Sequence, residues 1–249
     1  MQQRVEEACA APRKGQQNTR PSEYLRRRCP LCFGGHLTHD NHSKLGFRFL
    51  HRVTTDNVEL LRVDVIVCLD ACFTQKRRRR PQGHADEDEP HRHPDTLFLS
   101  REMVHEMEAY MTARKNRCPQ AATTDNDGFE GPLKVPTSVL DECNDSFTAA
   151  DEKRQKASTQ FFADTGLMAL LCRHDRVLWL VNITSASEKQ HYAVALLRHL
   201  FKHLPANMNV GALYDIGCQL HRSFIKWDLL PEFRDRLVFA LSIFHAYGH

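Results

Sequence analysis

The chain has no long apolar run. Its longest uninterrupted apolar stretches, residues 166–172 and 177–181, fall far short of the roughly 20 residues that a membrane-crossing helix requires, so no membrane contact is expected. A secretion leader is missing as well. The first twenty residues, MQQRVEEACAAPRKGQQNTR, carry charges where an apolar block would stand, which points to a reducing compartment. The nine cysteines, an odd number, then read as free thiols or metal ligands rather than disulfides. Nor does one sign of charge dominate: 34 Lys and Arg stand against 31 Asp and Glu, a formal net charge of +3. With 41% hydrophobic residues in 249, the chain can fill the core of one large domain or two small ones, and wholesale disorder is excluded.

The charges that are present cluster. Arg26-Arg27-Arg28 and Lys76-Arg77-Arg78-Arg79-Arg80 lie in the N-terminal third, the second run followed by Asp86-Glu87-Asp88-Glu89-Pro90-His91-Arg92-His93-Pro94. One reading is phosphate contact with DNA or a nuclear import signal, which would place the protein in the nucleus. The other is a solvated loop whose opposite charges neutralise each other. Residues at about 77–97 and 116–136 lack an apolar period and read as linkers. They leave a basic flexible N-terminus over 1–28, a cysteine-containing segment over 29–58 and a core over 59–249 that carries a helical insert.

Within the core, residues 60–70 read as a buried strand ending on Asp70. Residues 100–112 read as a helix capped by Ser100, with Met103, Val104, Met107 and Tyr110 on one face. Residues 166–172 and 177–183 form a hairpin around Arg173-His174-Asp175-Arg176. From Ser187, a candidate N-cap, the spacing of Tyr192, Leu196, Leu200 and Leu204 predicts a helix that Pro205 stops. A strand over 210–215 ends on Asp215, a helix follows over about 218–236, and residues 237–244 read as a last strand.

Asp70 and Asp215 stand at the ends of apolar strands, where a lone carboxylate is costly unless it is paired or bound to a cation. A mixed α/β sheet made of a strand, a hairpin, a crossover helix and a parallel strand can set the first and fourth strands side by side. The two carboxylates would then converge, as two-metal phosphoryl transfer requires. That is the logic of a ribonuclease-H-like nuclease core. The alternative is that each aspartate caps the turn that follows it.

Four strings, in order, carry a further signal: Cys68-Leu69-Asp70-Ala71-Cys72-Phe73-Thr74-Gln75-Lys76-Arg77, Leu171-Cys172-Arg173-His174, Leu213-Tyr214-Asp215-Ile216-Gly217-Cys218-Gln219 and Phe244-His245-Ala246-Tyr247-Gly248-His249. Together they resemble the Kyakuja–Dileera–Zisupton (KDZ) transposases over roughly residues 29–249. The resemblance implies an incomplete ribonuclease-H-like mixed sheet, DDE-type strand cleavage and transfer with Mg²⁺, and catalytic, Mg²⁺-holding roles for Asp70 and Asp215. It also implies transposon-end DNA as partner, with a homo-oligomer as a further expectation. Three departures stand out. Cys72 replaces the usual asparagine and shares a strand face with Asp70 and Cys68, and a thiol is a poorer Mg²⁺ neighbour than an amide. Ser187-Glu188-Lys189 stands where Gly-Glu-Arg is usual. The motif resembling Asp-Gly-Glu-Gly-x-Glu-Arg, which would bring the third carboxylate, does not occur in the 249 residues. A truncated, catalytically inactive transposase is therefore expected, the alternative being a domesticated, zinc-stabilised DNA- or protein-binding module.

Cysteine and histidine offer two candidate zinc sites. Cys29-Pro30-Leu31-Cys32 is a C-x₂-C pair followed by His36, His39 and His42, enough for half or all of a zinc knuckle, or else a pair of unbound thiols. Cys172 and His174, two apart and assigned to one strand, suggest a second zinc through the resemblance. Cys143 and Cys218 read as small buried hydrophobes. His191, His199, His203 and His221 read as surface or helix-face residues.

Overall fold

The computed structural model describes residues 19–34, 47–53, 58–79, 97–117, 129–130, 135–142, 145 and 161–240. His36, His39, His42, Arg80, Cys143, the acidic stretch 86–94 and residues 241–249 lie outside them. Among the described residues no helix is long and apolar enough to cross a membrane.

Two N-terminal helices, α1 (Glu23–Arg28) and α2 (Pro30–Phe33), precede a hairpin of β1 (Phe47–Val53) and β2 (Val58–Val63). Then come β3 (Val65–Cys72), the short β4 (Arg77–Arg78), the insert helix α3 (Arg101–Arg117), and the two-residue strands β5 (Phe129–Glu130) and β6 (Val135–Pro136). The C-terminal half runs β7 (Phe162–Asp164), β8 (Gly166–Cys172), β9 (Val177–Ile183), α4 (Gln190–Lys202), β10 (Val210–Leu213), α5 (Gly217–Lys226), α6 (Pro231–Arg234) and β11 (Leu237–Ala240).

The centre is a five-stranded mixed sheet in the order β11-β10-β3-β8-β9. β10 runs parallel to both β11 and β3, while β8 is antiparallel to β3 and to β9. The first and fourth strands of the sequence reading, β3 and β10, are thus neighbours. Residues 97–99 cover the outer edge of β9, with Leu99 N–H donating to Leu180 O at 2.9 Å and Leu180 N–H to Leu97 O at 2.8 Å, which leaves that edge paired. Gly166 is required where β8 starts, because a Cβ there would stand 2.7 Å from the carbonyl oxygen of Cys72.

The hairpin has the predicted bounds, and β8 alternates buried and half-buried residues throughout, as one face meeting the core requires. Other elements differ. The strand expected over 60–70 is two, broken at Asp64, whose carboxylate accepts from Asn209 N–H at 2.8 Å and pins the corner to the start of β10. Ser187 does not cap α4; the helix starts three residues later behind Lys189, and Ser187 is buried. The helix expected over 218–236 is divided into α5 and α6 by Asp228 and Leu230, both at positive φ (48° and 42°), just before Pro231. α4 buries one broad face, Tyr192, Leu196 and Leu200 included, and α3 lies over it with Glu106 paired to Arg198 at 2.8 Å.

Residues 23–28, assigned from the sequence to a flexible leader, form α1 and dock on the core. Ser22 Oγ accepts from Leu25 N–H and caps the helix, Tyr24 stacks on Trp179 with centroids 4.9 Å apart, and its hydroxyl donates to Leu178 O at 2.6 Å. His203 meets Ser22 through Nδ1 and Oγ at 2.9 Å. His203 is therefore an interior residue and His199 a half-buried one on the face of α4, both ringed around Trp179. Burial holds both imidazoles neutral, pushing His199 down to about 3 and His203 down to about 4, with the Lys202 charge adding to each.

Candidate functional site

Strand pairing builds the first candidate site. β3 and β10 align Val67 with Ala212 and Cys68 with Leu213. Counted two residues past the last pair, that register brings Asp70, inside β3, level with Asp215, which lies in the turn after β10. Both aspartates are exposed. In each, Oδ1 accepts a hydrogen bond at 2.8 Å from the next backbone N–H, that of Ala71 or of Ile216. These contacts orient the carboxylates alike.

Beneath them lies Tyr214, buried, with its hydroxyl donating to the buried Glu188 at 2.5 Å. Burial, then the negative charges of Glu188, Asp215 and Asp70, push the Tyr214 phenol far up, so it stays a donor. Three carboxylates thus act on one phenol. The edge offers hard oxygen donors, which suit a divalent cation such as Mg²⁺. Exposed Cys72 lies 3.1 Å from Thr74 Oγ1, and hydrogen bonds from the Thr74 hydroxyl and backbone hold its thiol below the ordinary value.

The second site joins segments that the sequence reading kept apart. Cys29, at the junction of α1 and α2, and Cys32, within α2, meet Cys172, at the end of β8, and His174, in the turn after it. Their ligand atoms lie within 4.8 Å of one another. His174 Nδ1 is 3.2 Å from Cys32 Sγ and 3.5 Å from Cys29 Sγ. Around a tetrahedral zinc, with Zn–S near 2.3 Å and Zn–N near 2.0 Å, donors are spaced by about 3.5–3.8 Å. Three thiols and an imidazole therefore fit a metal such as zinc.

Two expectations are corrected here. The two candidate zinc pairs make one cluster, and His174 belongs to the hairpin turn, not the strand. The turn is shaped by Asp175 at φ 56° and by Cys172 N–H donating to Arg176 O at 3.0 Å. Without metal the thiols oppose one another. Burial works against the Cys29 thiolate, yet hydrogen bonds from the Cys32 backbone and from the Cys172 and Cys32 side chains leave it below the ordinary value. Burial and the neighbouring Cys172 push Cys32 up. Cys68 is also raised, by burial and then by Cys172 and Asp175, so β3 passes close to the cluster on its way to Asp70.

The basic runs are divided between internal contacts and solvent. Arg27 pairs with Glu23, Arg28 Nε donates to Tyr24 OH at 3.2 Å, and Arg26 is half-buried. Arg77 is 2.6 Å from the buried Asp164, and Arg79 donates to Phe162 O at 3.0 Å. Lys76 lies 5.2 Å over the Phe162 ring, and Arg78 is exposed. The sequence reading passed over the Glu188–Tyr214 pair and the union of the cysteine pairs. A donor count was the available signal for the second: each pair supplies two ligands where a closed zinc site takes four.

Neither the curated proteins nor the solved structures contain a match to this chain. Residues 63–249 match the profile of the Kyakuja-Dileera-Zisupton transposases, a span holding Asp70, Cys172, His174 and Asp215, and the chain belongs to that family.

Proposed function

We propose that Asp70 and Asp215 hold Mg²⁺ for DDE-type cleavage and transfer of DNA strands at transposon ends. The observation that carries this reading is the parallel pairing of β3 with β10, which runs to Cys68 and Leu213, two residues short of the exposed Asp70 and Asp215. The strand order β11-β10-β3-β8-β9, with α4 crossing between β9 and β10, supports a ribonuclease-H-like core. The Ala71 and Ile216 N–H groups orient the carboxylates, and the buried Glu188–Tyr214 hydrogen bond fixes the strand end beside Asp215. Bound Mg²⁺ would supply charge neutralisation at the scissile phosphate and a more acidic attacking water or 3′-hydroxyl. Asp70 and Asp215 are two of the three carboxylates that the resemblance calls for, and binding of cation and DNA without turnover by these two alone is part of the proposal.

Mn²⁺ binding, followed by electron paramagnetic resonance, tests the site. Asp70→Asn or Asp215→Asn should weaken it at least tenfold, and Mg²⁺-dependent nicking of duplex DNA should be absent. Equal Mn²⁺ binding by the variants overturns the carboxylate site. Robust nicking abolished by Asp70→Ala overturns the inactivity.

The Cys29, Cys32, Cys172 and His174 cluster favours a second reading, a zinc-stabilised DNA- or protein-binding module without catalysis. A closed set of four soft donors is structural rather than catalytic, since it leaves no position for substrate. Salt-sensitive DNA binding in a chain that takes up no Mn²⁺ is the outcome that selects this reading.

A further inference from the structure

A cleft of about 440 Å³ opens between α3 and the connection from β9 to α4. Its floor is apolar, made by Leu99, Val104, Met111 and Val181, with the rings of Tyr192 and half-buried Trp227 beside them. Tyr192 is fixed from behind, its hydroxyl accepting from the Thr184 and Ser185 N–H groups at 3.1 and 3.2 Å. Arg101, Lys115 and Lys189 bring three cations to the lining, against one carboxylate, Glu108, which lies 3.5 Å from His105 Nδ1. The Lys115 ammonium is 5.6 Å from the centre of the Trp227 ring. The Arg101 side chain is 61% exposed, and its ion pair to Asp164 is long at 3.7 Å. Lys189 precedes α4, whose first turn has no side-chain cap, so backbone N–H groups add to the positive field there.

The position of the cleft relative to the carboxylates follows from the sheet. β9 is antiparallel to β8, and β8 to β3, so β3 and β9 point the same way. Ala71 pairs with Met168, and Met168 with Val181. The cleft wall at Val181 is thus level with Ala71, two strands away or about 10 Å at ordinary strand spacing, and Asp70 is the residue before it, on the other face of the sheet near the same end of β3. A cavity of this size, with an apolar aromatic floor and a cationic rim, has the chemistry of a single-stranded nucleotide site: a face for the base and charges for its phosphate.

We propose that this cleft receives one nucleotide of a DNA strand passing the Asp70–Asp215 edge, its base against Trp227 and its phosphate at Arg101, Lys115 and Lys189. The identity of the ligand as DNA rests on the strand-transfer reading above. The site itself does not, because it is read by a different residue.

The full chain contains its own reporter. Of its two tryptophans, Trp179 is buried at 1% exposure and stacked on Tyr24, so quenching by an added oligonucleotide reports Trp227. Titration with a short oligothymidylate should quench emission saturably, and the Lys115→Gln/Lys189→Gln double variant should weaken binding about tenfold. Removing two phosphate contacts should also flatten the slope of log affinity against log salt by about 1.4. Trp227→Phe keeps a stacking face, and should bind a labelled oligomer with near wild-type anisotropy while losing the quenching. Binding of the oligomer without quenching overturns the proposal, as does an unchanged double variant whose circular dichroism matches the wild type. Thymidine monophosphate binding as tightly as the oligomer, or equal quenching by a blunt duplex, overturns the assignment to a strand. Mn²⁺ titration of the same sample reads the carboxylate edge, so the two proposals fail separately.

Discussion

The Cys29, Cys32, Cys172 and His174 cluster and the Asp70–Asp215 edge lie along the same strands, Cys172 level with Val67 and Ala169 with Asp70, and are built by opposite rules. β8 ends at the cluster, on Cys172, and starts against Cys72, just past Asp70. At the cluster, two ligands are buried and two half-buried, and the donors come from segments as far apart as 145 residues. At the edge, two carboxylates from adjacent strands stand in solvent. The difference teaches what each can do. A closed, four-donor set suits a structural metal that would tie α1 and α2 to the hairpin, whereas an open edge of hard oxygen donors suits a hydrated cation that exchanges its water.

The largest effect that separates them is metal removal at the cluster. Cys172→Ser should reduce bound zinc from one equivalent to none by mass spectrometry. It should also lower stability by at least about 3 kcal/mol, because ligand binding energy here is folding energy. Melting should then fall by roughly 10 °C for a chain of this size. A variant that melts with the wild type would show that the four residues assemble without a structural metal.

Acid should act next, and on the same half of the comparison. His199 and His203 protonate in the folded chain only at about 3 and about 4, well below the 6.5 of an exposed imidazole. The unfolded chain therefore binds more protons between those values, and stability is complete above pH 6.5 and lost as pH falls through the window. At pH 5 the loss should reach about 2 kcal/mol for each histidine as an upper bound. Urea denaturation at pH 7 and pH 5 measures it, and a pH-independent unfolding free energy would contradict the burial of the two rings around Trp179.

The smallest effect belongs beneath the edge. Tyr214→Phe leaves the buried Glu188 carboxylate without its phenol donor, which should cost about 1–3 kcal/mol in urea denaturation. Glu188→Gln in the Tyr214→Phe background should recover part of that loss, since a neutral amide is less costly to bury unpaired. No recovery would mean that the hydroxyl matters for reasons other than the carboxylate it serves.

Much of the sheet was legible because its strands differ chemically from what surrounds them. β8 and β9 are apolar runs bounded by polar turns, and both kept their predicted bounds. The adjacency of β3 and β10 was legible too, as strand order and direction leave few ways to arrange four strands. The break at Asp64 was hidden, since it depends on Asn209, 145 residues away. The break at Asp228 and Leu230 was hidden for a different reason: neither is a residue that announces positive φ as glycine does. Ser187 had the chemistry of a cap, yet burial places it inside the protein, ahead of the helix.

By itself the sequence determined the α/β class and the two cysteine-containing pairs, because each depends on local pattern or on motif order. Only the tertiary structure decided that the pairs form one cluster, that His203 is interior with His199 half-buried beside it, and that a cationic, aromatic cleft lies two strands from β3. Those properties arise when α1 docks on Trp179 and α3 lies over α4. Contacts between distant segments set them, and no local propensity or spacing encodes which surfaces will meet.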